Sequence, residues 1–257
     1  MTDPDISQPI DPDDHALAAW TATMAGQLLL QVREQGLEGR ALKDAGDQSA
    51  HDLLMRLLGE YRPGDAVLSE EGKDDKARLK ADRVWIVDPL DGTREFSEPP
   101  REDWAVHVAL WERGELVAGA VAQPDLDMTW HTGRPPVVPP SRASRPRLVV
   151  SRTRPPEFVK TLAEEMDGEL VPMGSAGAKA MSVIRDVSDA SVHAGGQYEW
   201  DSAAPVAVAR AAGLFTSRVD GSPLVYNQDD VLLPDLIICR PELSERILEF
   251  IREHGTY

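Results

Sequence analysis

The sequence of 257 residues predicts a mixed α/β protein that consists of two halves. Near the N-terminus, apolar residues recur at helical spacing in two segments, and short apolar runs typical of strands follow them. The segment GRPPVVPPSRASRPR, residues 133–147, is too rich in proline to continue a helix or a strand. Beyond this connector, predicted strands and helices alternate. We therefore expect an acidic tail over residues 1–14, an α+β half over 15–140 and an α/β half over 141–257.

The N-terminal half is predicted to begin with two helices. Leu17, Met24 and Val32 share one face of an amphipathic helix that ends near Gly36. A second apolar stripe predicts a helix between Asp47 and Gly59. The period then changes to that of strands, which we place at residues 66–71, 83–87, 104–111 and 116–124. The last two are joined by the short turn ERGE, which predicts an antiparallel hairpin.

The C-terminal half is predicted to alternate between the two element types. Its apolar strand patterns lie at residues 147–151, 190–194 and 235–240. Its helical patterns lie at residues 155–166, 177–186, 201–213 and 241–254. This alternation is typical of an α/β unit, in which helices pack on the faces of a sheet.

The composition excludes several classes of function. There are 44 acidic and 27 basic residues, and the resulting net charge of −17 disfavours nucleic acid or an anionic membrane as a partner. No run of about 18 apolar residues is present, so we expect no transmembrane helix. The single cysteine, Cys239, excludes an internal disulfide. Because the acidic N-terminus also differs from a signal peptide, we expect a cytoplasmic protein.

Two carboxylates follow a predicted strand in the segment WIVDPLDGTREF, residues 85–96. Asp88 lies at the end of the strand, Asp91 lies three residues later, and Gly92 lets the backbone fold closely around them. Together with the carbonyl of Leu90, these side chains offer the hard oxygen ligands that Mg²⁺ binds. A strand-end turn with solvated aspartates is the competing interpretation when this segment is considered alone.

The segment WIVDPLDGTREF resembles the signature of the inositol monophosphatase-like superfamily of lithium-sensitive, Mg²⁺-dependent phosphatases. Residues 68–71 (LSEE) and 199–213 (EWDSAAPVAVARAAG) resemble two further motifs of that family, in the same order. The resemblance implies a five-layer αβαβα sandwich of the sugar-phosphatase type, with its site at the junction of the two halves. It also implies two or three Mg²⁺ ions, which would make an acidic pocket attractive to phosphate. The implied metal ligands are Glu70, Asp88, Leu90, Asp91 and Asp201.

Asp47 and Thr93 are the candidate catalytic residues. The family places an aspartate at the start of its second helix, and Asp47 occupies that place in LKDAGDQSAHDLL, although the threonine that usually precedes it is missing. Capping of the helix is the alternative role for Asp47. The resemblance implies that Asp47 and the Thr93 hydroxyl orient and deprotonate a metal-activated water that attacks phosphorus.

Other strings resemble the 3′(2′),5′-bisphosphate nucleotidases rather than the inositol phosphatases. They are DGTREF at residues 91–96, SRTR at 151–154 and GSAGAKAM at 174–181. The resemblance implies hydrolysis of adenosine 3′,5′-bisphosphate to AMP and phosphate, as in the CysQ-type enzymes of bacterial sulfate assimilation. Tyr198 and Trp200 are interpreted as packing residues, with stacking on adenine as the alternative. The implied substrate-binding residues are Gly92, Thr93, Ser151, Arg154, Ser175, Gly177, Lys179 and Asp201; for Lys179 alone, a surface position on a helix is the alternative.

Two other functions stay open from the sequence. One is hydrolysis of an inositol or sugar phosphate, such as fructose 1,6-bisphosphate, and the other is a catalytically silent sensor that binds metal and nucleotide. The presence of Asp47 and Thr93 favours turnover over the sensor. We expect a small phosphorylated molecule as the partner, and the sequence does not decide whether the chain forms a homodimer.

Overall fold

The computed structural model describes residues 13–255 of the chain. Residues 1–12, which make up most of the predicted acidic tail, lie outside the described residues. The last two residues assigned to that tail belong to the first helix. Asp13 caps this helix by accepting a hydrogen bond from the backbone N–H of His15 at 2.8 Å, and Asp14 is its first residue.

The N-terminal half packs two long helices on a five-stranded sheet. The helices are α1 (Asp14–Arg33) and α2 (Gly39–Tyr61). The strands are β1 (Ala66–Ser69), β2 (Arg83–Asp91), β3 (Ala105–Glu112), β4 (Glu115–Gln123) and β5 (Met128–His131). They lie in the order β1-β2-β3-β4-β5; β1 is parallel to β2 and all other pairs are antiparallel. A short helix, α3 (Thr93–Phe96), follows β2 directly.

The C-terminal half contains a second five-stranded sheet. In chain order its elements are β6 (Arg147–Ser151), α4 (Glu157–Glu165), β7 (Glu169–Met173), α5 (Ala176–Ile184), β8 (Ala190–Ala194), α6 (Glu199–Ala211), β9 (Phe215–Ser217), β10 (Asp235–Cys239) and α7 (Pro241–His254). The strand order is β7-β6-β8-β10-β9. β6 is parallel to both of its neighbours, whereas β10 is antiparallel to β8 and β9.

Three apolar clusters stack these elements into five layers. In the first cluster, α1 and α2 cover one face of the first sheet, and the cluster includes Leu54 of α2 and Trp85 of β2. In the second, α5 and α6 fill the space between the sheets, and the cluster includes Ile86 of β2, Val206 of α6 and Ile238 of β10. In the third, α4 and α7 cover the outer face of the second sheet. Because the two faces of each sheet are covered by helices, the arrangement is αβαβα, and the predicted fold class is confirmed.

The structure differs from the sequence prediction in two respects. The strands β5, β7 and β9 were not predicted; each lies at an edge of its sheet, where a short strand needs no continuous apolar pattern. Helix α2 was predicted to begin near Asp47, but it begins at Gly39. Gly46, directly before the predicted start, lies inside the helix, where a Cβ atom would come within 2.7 Å of the ring of Phe96. Helices in the described part of the chain are too short or too polar to cross a bilayer.

Candidate active site

Three carboxylates converge where β2 ends and α6 begins. They belong to Asp88, Asp91 and Asp201, and one oxygen of each lies within 4.8 Å of the others. Residues three apart on a regular strand point to opposite faces, but β2 has a register shift between Asp88, which pairs with His107, and Asp91, which pairs with Ala105. The extra residue is a bulge that turns both aspartates toward α6. The sheet irregularity therefore builds the acidic cluster.

Glu70 reaches the same cluster from the end of β1. Because β1 is parallel to β2, both strands end at the same edge of the sheet, and the N–H of Glu70 donates to the carbonyl of Val87 at 3.3 Å. The carboxyl group of Glu70 lies beside that of Asp88. Burial of this carboxyl group raises the pKa of Glu70 to about 7. The hydrogen bond with Asp88 opposes this shift, whereas the negative charge of Glu71 adds to it.

The pKa values of two further carboxyl groups are raised by their surroundings. Burial raises the pKa of Asp88 well above its ordinary value, and the charges of Glu70, Asp91 and Asp201 add to the effect. Burial and then Asp91 raise the pKa of Asp201 to about 7, although the N–H of Tyr198 donates to its Oδ2 at 2.6 Å. The site therefore offers carboxylate oxygens whose mutual repulsion a hard divalent cation would relieve.

Asp47, Thr93 and Leu90 form a chain of polar contacts next to this cluster. The Thr93 hydroxyl lies 3.4 Å from Oδ1 of Asp47 and 3.2 Å from the carbonyl oxygen of Leu90, so its single proton is shared between two acceptors. Asp47 lies well inside α2, and its alternative role as a helix cap is therefore wrong. Burial and the charge of Glu71 raise the pKa of Asp47 to about 6, against the hydrogen bond from Thr93.

Asp91 is held by the N-terminus of α5. The Ser175 hydroxyl donates to Oδ2 of Asp91, the N–H of Ala176 donates to Oδ1 at 3.0 Å, and the N–H of Gly177 donates to Oδ2 at 2.6 Å. Free N–H groups at a helix start stabilise an anion. Ser175 and Gly177 were predicted to contact substrate. In the structure their donors bind Asp91, and Ser175 also lines the neighbouring cleft.

His107 is a part of the site that the sequence analysis missed. It is fully buried, its Nε2 lies 3.1 Å from Oδ2 of Asp91, and its Nδ1 lies 3.1 Å from the carbonyl oxygen of Trp200, to which it donates when protonated. The contact with Asp91 is an ion pair that is poorly aligned for a hydrogen bond. The only signal in the sequence was one polar residue inside the apolar run AVHVALW.

The pair of His107 and Asp91 has shifted pKa values on both sides. Burial alone would lower the pKa of His107, but the charge of Asp91 outweighs it and raises the pKa. Burial alone would raise the pKa of Asp91, but the charge of His107 and the Ser175 hydroxyl hold it well below its usual value. Asp91 is therefore ionised near neutral pH, whereas its neighbours resist ionisation. Gly177 is needed here, because a Cβ atom would lie 2.1 Å from Nε2 of His107.

A cleft of about 290 Å³ with basic walls lies next to the carboxylates. The nitrogen Nζ of Lys179 donates to the carbonyl of Ser175 at 2.8 Å, and the side chain is buried, so its alternative interpretation as a surface lysine is wrong. Burial lowers the pKa of Lys179, with Asp91 and Asp201 opposing the shift. The cleft is lined by Gly92, Thr93, Arg94, Glu95, Ser151, Arg152, Thr153, Arg154, Gly174, Ser175 and Lys179.

The three arginines of the cleft differ in their partners. Arg152 donates to Glu95 at 2.6 Å and to Glu98 at 2.7 Å, so its charge is compensated. Arg94 and Arg154 are exposed, and neither forms an ion pair with another described residue. The hydroxyl of Ser151 accepts a hydrogen bond from the N–H of Arg154 at 3.3 Å and so stabilises the turn that carries it. The cleft therefore presents uncompensated positive charge at its mouth.

Tyr198 and Trp200 stack on each other beside Asp201. Their ring centroids are 4.9 Å apart with an angle of 15° between the planes. Trp200 packs against the apolar cluster between the two sheets, while Tyr198 is 43% exposed. Trp200 therefore packs as predicted, and the outer ring of the pair is open to solvent.

Comparison with known proteins adds a family to this geometry. The sequence profile of the inositol monophosphatase family matches residues 16–256, which include all the predicted site residues. The chain belongs to the inositol monophosphatase family. The predicted resemblance is thereby confirmed.

Several members of the inositol monophosphatase family are similar over nearly the whole chain. A 3′-phosphoadenosine 5′-phosphate phosphatase of Mycobacterium leprae is 49% identical over 93% of this chain and 94% of its own length. The structure of CysQ from Bacteroides thetaiotaomicron superimposes with a TM-score of 0.75 at 27% identity, covering 88% of this chain and 97% of that one. Inositol monophosphatase II of Staphylococcus aureus, with a TM-score of 0.77, 23% identity and 92% of both chains covered, shares the fold.

Proposed function

We propose that the chain is a Mg²⁺-dependent 3′(2′),5′-bisphosphate nucleotidase that hydrolyses adenosine 3′,5′-bisphosphate to AMP and phosphate. The observation that carries this proposal is the charge pattern of the site. A cluster of carboxylates lies next to a cleft with uncompensated arginines, in a chain whose net charge is −17. A substrate with two phosphates fits this pattern. The names of the relatives from M. leprae and B. thetaiotaomicron support the same activity.

The proposed metal ligands fit Mg²⁺ by their chemistry. Four carboxylates and one carbonyl supply only oxygen atoms, and burial together with neighbouring carboxylates raises the pKa values of Asp88, Asp201 and Glu70, so these groups resist ionisation without a cation. Bound Mg²⁺ would supply the positive charge, would lower the pKa of a coordinated water and would stabilise charge on the phosphoryl oxygens. We expect two or three ions at Glu70, Asp88, Leu90, Asp91 and Asp201.

Asp47 and Thr93 are proposed to remove a proton from the attacking water. The Thr93 hydroxyl can pass its proton to Oδ1 of Asp47, 3.4 Å away, as it receives one from the water. Asp47 has a pKa of about 6, so it is ionised near neutral pH and is still basic enough to accept the proton. The side chain of Asp47 thus acts as a general base through Thr93, and no nucleophilic side chain is required.

The cleft is proposed to bind the part of the substrate that does not react. Arg154, placed by the turn at Ser151, can pair with the second phosphate, and buried Lys179 adds positive charge deeper in the cleft. Gly92 and Thr93 line the same cleft beside the carboxylates. Ser175 and Gly177 serve this arrangement indirectly, because they hold Asp91. The proposed compartment is the cytoplasm, consistent with a free and buried Cys239.

The proposal is tested by comparing kcat/KM with Mg²⁺ for four substrates. They are adenosine 3′,5′-bisphosphate, adenosine 3′-monophosphate, inositol 1-phosphate and fructose 1,6-bisphosphate. We expect the nucleotide bisphosphate to exceed inositol 1-phosphate by about 100-fold, which is about 2.7 kcal/mol of transition-state stabilisation. Comparable rates on all substrates would indicate a broad phosphatase instead, and no phosphate release from any of them would indicate the silent sensor.

The second-phosphate site has its own test. Arg154→Ala should raise KM for adenosine 3′,5′-bisphosphate by about tenfold, because a charged hydrogen bond is lost. The same variant should leave adenosine 3′-monophosphate unchanged, since that substrate lacks the second phosphate. Arg252→Ala, at an exposed arginine in the last turn of α7, is the matched control and should change neither value. Equal losses on both substrates would contradict the assignment of Arg154.

A further inference from the structure

A buried network of charged and polar side chains joins the two halves of the chain close to the acidic cluster. Its central members are Arg78 and Glu199, each 1% exposed, and Asn227, which is 6% exposed. Arg78 follows the loop that carries Glu70, whereas Glu199 is the first residue of α6, two positions before Asp201. None of the three central residues belongs to the proposed metal ligands or substrate contacts.

Arg78 holds the loop of Glu70 to a segment of the other half. Its Nε donates to Oδ1 of Asp74 at 2.7 Å and one terminal nitrogen donates to Oδ2 at 3.0 Å, which is a bidentate pair. The other terminal nitrogen donates to Oδ1 of Asn227 at 2.7 Å, and the carbonyl of Gln228 accepts a further bond at 2.9 Å. A single buried guanidinium therefore connects residues 74 and 227–228.

Glu199 holds the same segment from the opposite side. Its two carboxylate oxygens accept from the backbone N–H groups of Asn227 and Gln228, both at 2.7 Å. Asn227 has a φ of 59°, a left-handed conformation that asparagine tolerates better than most residues. The segment is thus held between Arg78 and Glu199, and through it the backbone that carries Glu70 is tied to the helix that carries Asp201.

We propose that Arg78 and Glu199 are positioning residues that set the separation of Glu70 and Asp201 and thereby the affinity for Mg²⁺. This inference rests on the proposed metal site. The two ligands come from different halves of the chain, so their separation depends on contacts between the halves. Partners that orient metal ligands from outside typically change metal affinity by 10–100-fold when they are removed.

The test is calorimetric titration of the metal-free protein with MgCl₂. Arg78→Lys keeps the charge but loses the bidentate pair, and Glu199→Gln leaves one backbone N–H facing an amide group instead of an oxygen. Both variants should raise the Kd for Mg²⁺ by about tenfold or more. Asn227→Gly removes the hydrogen bond to Arg78, and glycine readily adopts the left-handed backbone at this position. This variant should also raise the Kd for Mg²⁺, and it tests the inference even if Arg78→Lys or Glu199→Gln folds poorly.

Arg240→Lys is the matched control. Arg240 is also buried, at 4% exposed, and its Nε donates to Asp189 at 2.9 Å while a terminal nitrogen donates to Asp186 at 2.9 Å. Its other terminal nitrogen donates to the carbonyl of Pro139 at 2.7 Å, and that network contains no proposed ligand. Arg240→Lys should lower the melting temperature as much as Arg78→Lys, with an unchanged Kd for Mg²⁺. The readout therefore separates positioning of the ligands from a general loss of stability.

The activity assay adds a second readout. At saturating Mg²⁺, kcat of the Asn227→Gly variant should return to the wild-type value, because no reacting group has changed. Unchanged Mg²⁺ affinity in all three variants, or an equal loss in Arg240→Lys, would overturn the inference while the proposed function stands. A wild-type chain that binds no Mg²⁺ would overturn both.

Discussion

Nε2 of His107 lies 3.1 Å from Oδ2 of Asp91, a member of the acidic cluster, and both side chains are buried. This pair divides the cluster into two kinds of carboxylate. Asp91 has its charge compensated by the protein itself, through His107 and the donors at the start of α5. Among the described residues no cation lies as close to Asp88 or Asp201, since Nδ1 of His107 is 4.0 Å from Oδ2 of Asp88, and burial and neighbouring carboxylates raise the pKa values of both. Removal of one charge should therefore have opposite effects on stability at the two kinds of position.

The first prediction concerns the histidine of this pair. His107→Gln removes the positive charge beside Asp91 and leaves a buried carboxylate with fewer partners. We expect the free energy of unfolding of the metal-free protein to fall by about 3 kcal/mol, measured by urea denaturation at pH 7. His131→Gln is the control, because burial lowers the pKa of that half-buried histidine and no charge is removed. A loss below about 1 kcal/mol for His107→Gln would contradict the ion pair.

The second prediction concerns Asp88. In the structure the N–H of Leu90 donates to Oδ1 of Asp88 at 3.0 Å, and the side-chain oxygen of the Asp88→Asn variant can still accept this bond. The substitution removes a buried carboxylate whose charge repels its neighbours. We expect the metal-free protein at pH 8 to become more stable by about 1–2 kcal/mol. Phosphatase activity should fall on the order of 10³-fold, because a proposed metal ligand is lost. Urea denaturation and the phosphate-release assay measure the two effects.

Asp91→Asn is the matched control for Asp88→Asn. It should lose activity to a similar extent, but it should also destabilise the metal-free protein by about 3 kcal/mol, because His107 then stays charged without a partner. The opposite signs of the two stability changes distinguish the compensated carboxylate from the uncompensated one. Destabilisation by both substitutions would show that the charge on Asp88 is compensated as well.

The third prediction is a pH dependence of stability without metal. The pKa values of Asp47, Glu70 and Asp201 are raised to about 6, 7 and 7, above the ordinary values of 3.8, 4.5 and 3.8. The folded state then binds more protons than the unfolded chain, so stability is full below the ordinary values and is lost as the pH rises to about 7. We expect the melting temperature to fall by about 5 °C between pH 5 and pH 8.

Mg²⁺ should reverse this trend. The ion binds the ionised carboxylates, so the stabilisation it provides should grow as the pH rises over the same range. Differential scanning calorimetry in a pH series, with and without about 10 mM MgCl₂, measures both effects. This concentration is chosen to exceed the Kd for Mg²⁺. A metal-free melting temperature that rises from pH 5 to pH 8 would refute the assignment of uncompensated carboxylates.

The sequence predicted the parts of the site that local motifs encode. Asp88 and Asp91 end a buried strand, and the strand and helix patterns around Glu70 and Asp201 place these side chains near them once the layers are stacked. These predictions depend on short stretches of chain and on the order of the motifs. The five-layer fold followed from the same resemblance.

The partners of these ligands were beyond sequence reasoning because they come from distant elements. Ser175 and Gly177 follow Asp91 by more than 80 residues, and their donors could equally serve a phosphate until the sheets are packed together. His107 pairs with Asp91 because of the bulge in β2, and no local sequence pattern predicts that bulge. Only the three-dimensional packing shows which donors face a carboxylate and which face the cleft.

The last prediction concerns Gly46, which lies inside α2 next to Asp47. In the structure a Cβ atom at this position would lie 2.7 Å from the ring of Phe96 and 2.9 Å from Leu90, whose carbonyl is a proposed metal ligand. Gly46→Ala should therefore destabilise the protein by about 1–3 kcal/mol and weaken Mg²⁺ binding. Gly59→Ala on the same helix meets nothing within 4 Å and should stabilise it by about 0.5–1 kcal/mol. Urea denaturation and Mg²⁺ titration compare the two variants, and a stabilising Gly46→Ala would show that α2 does not pack closely on the metal-binding loop.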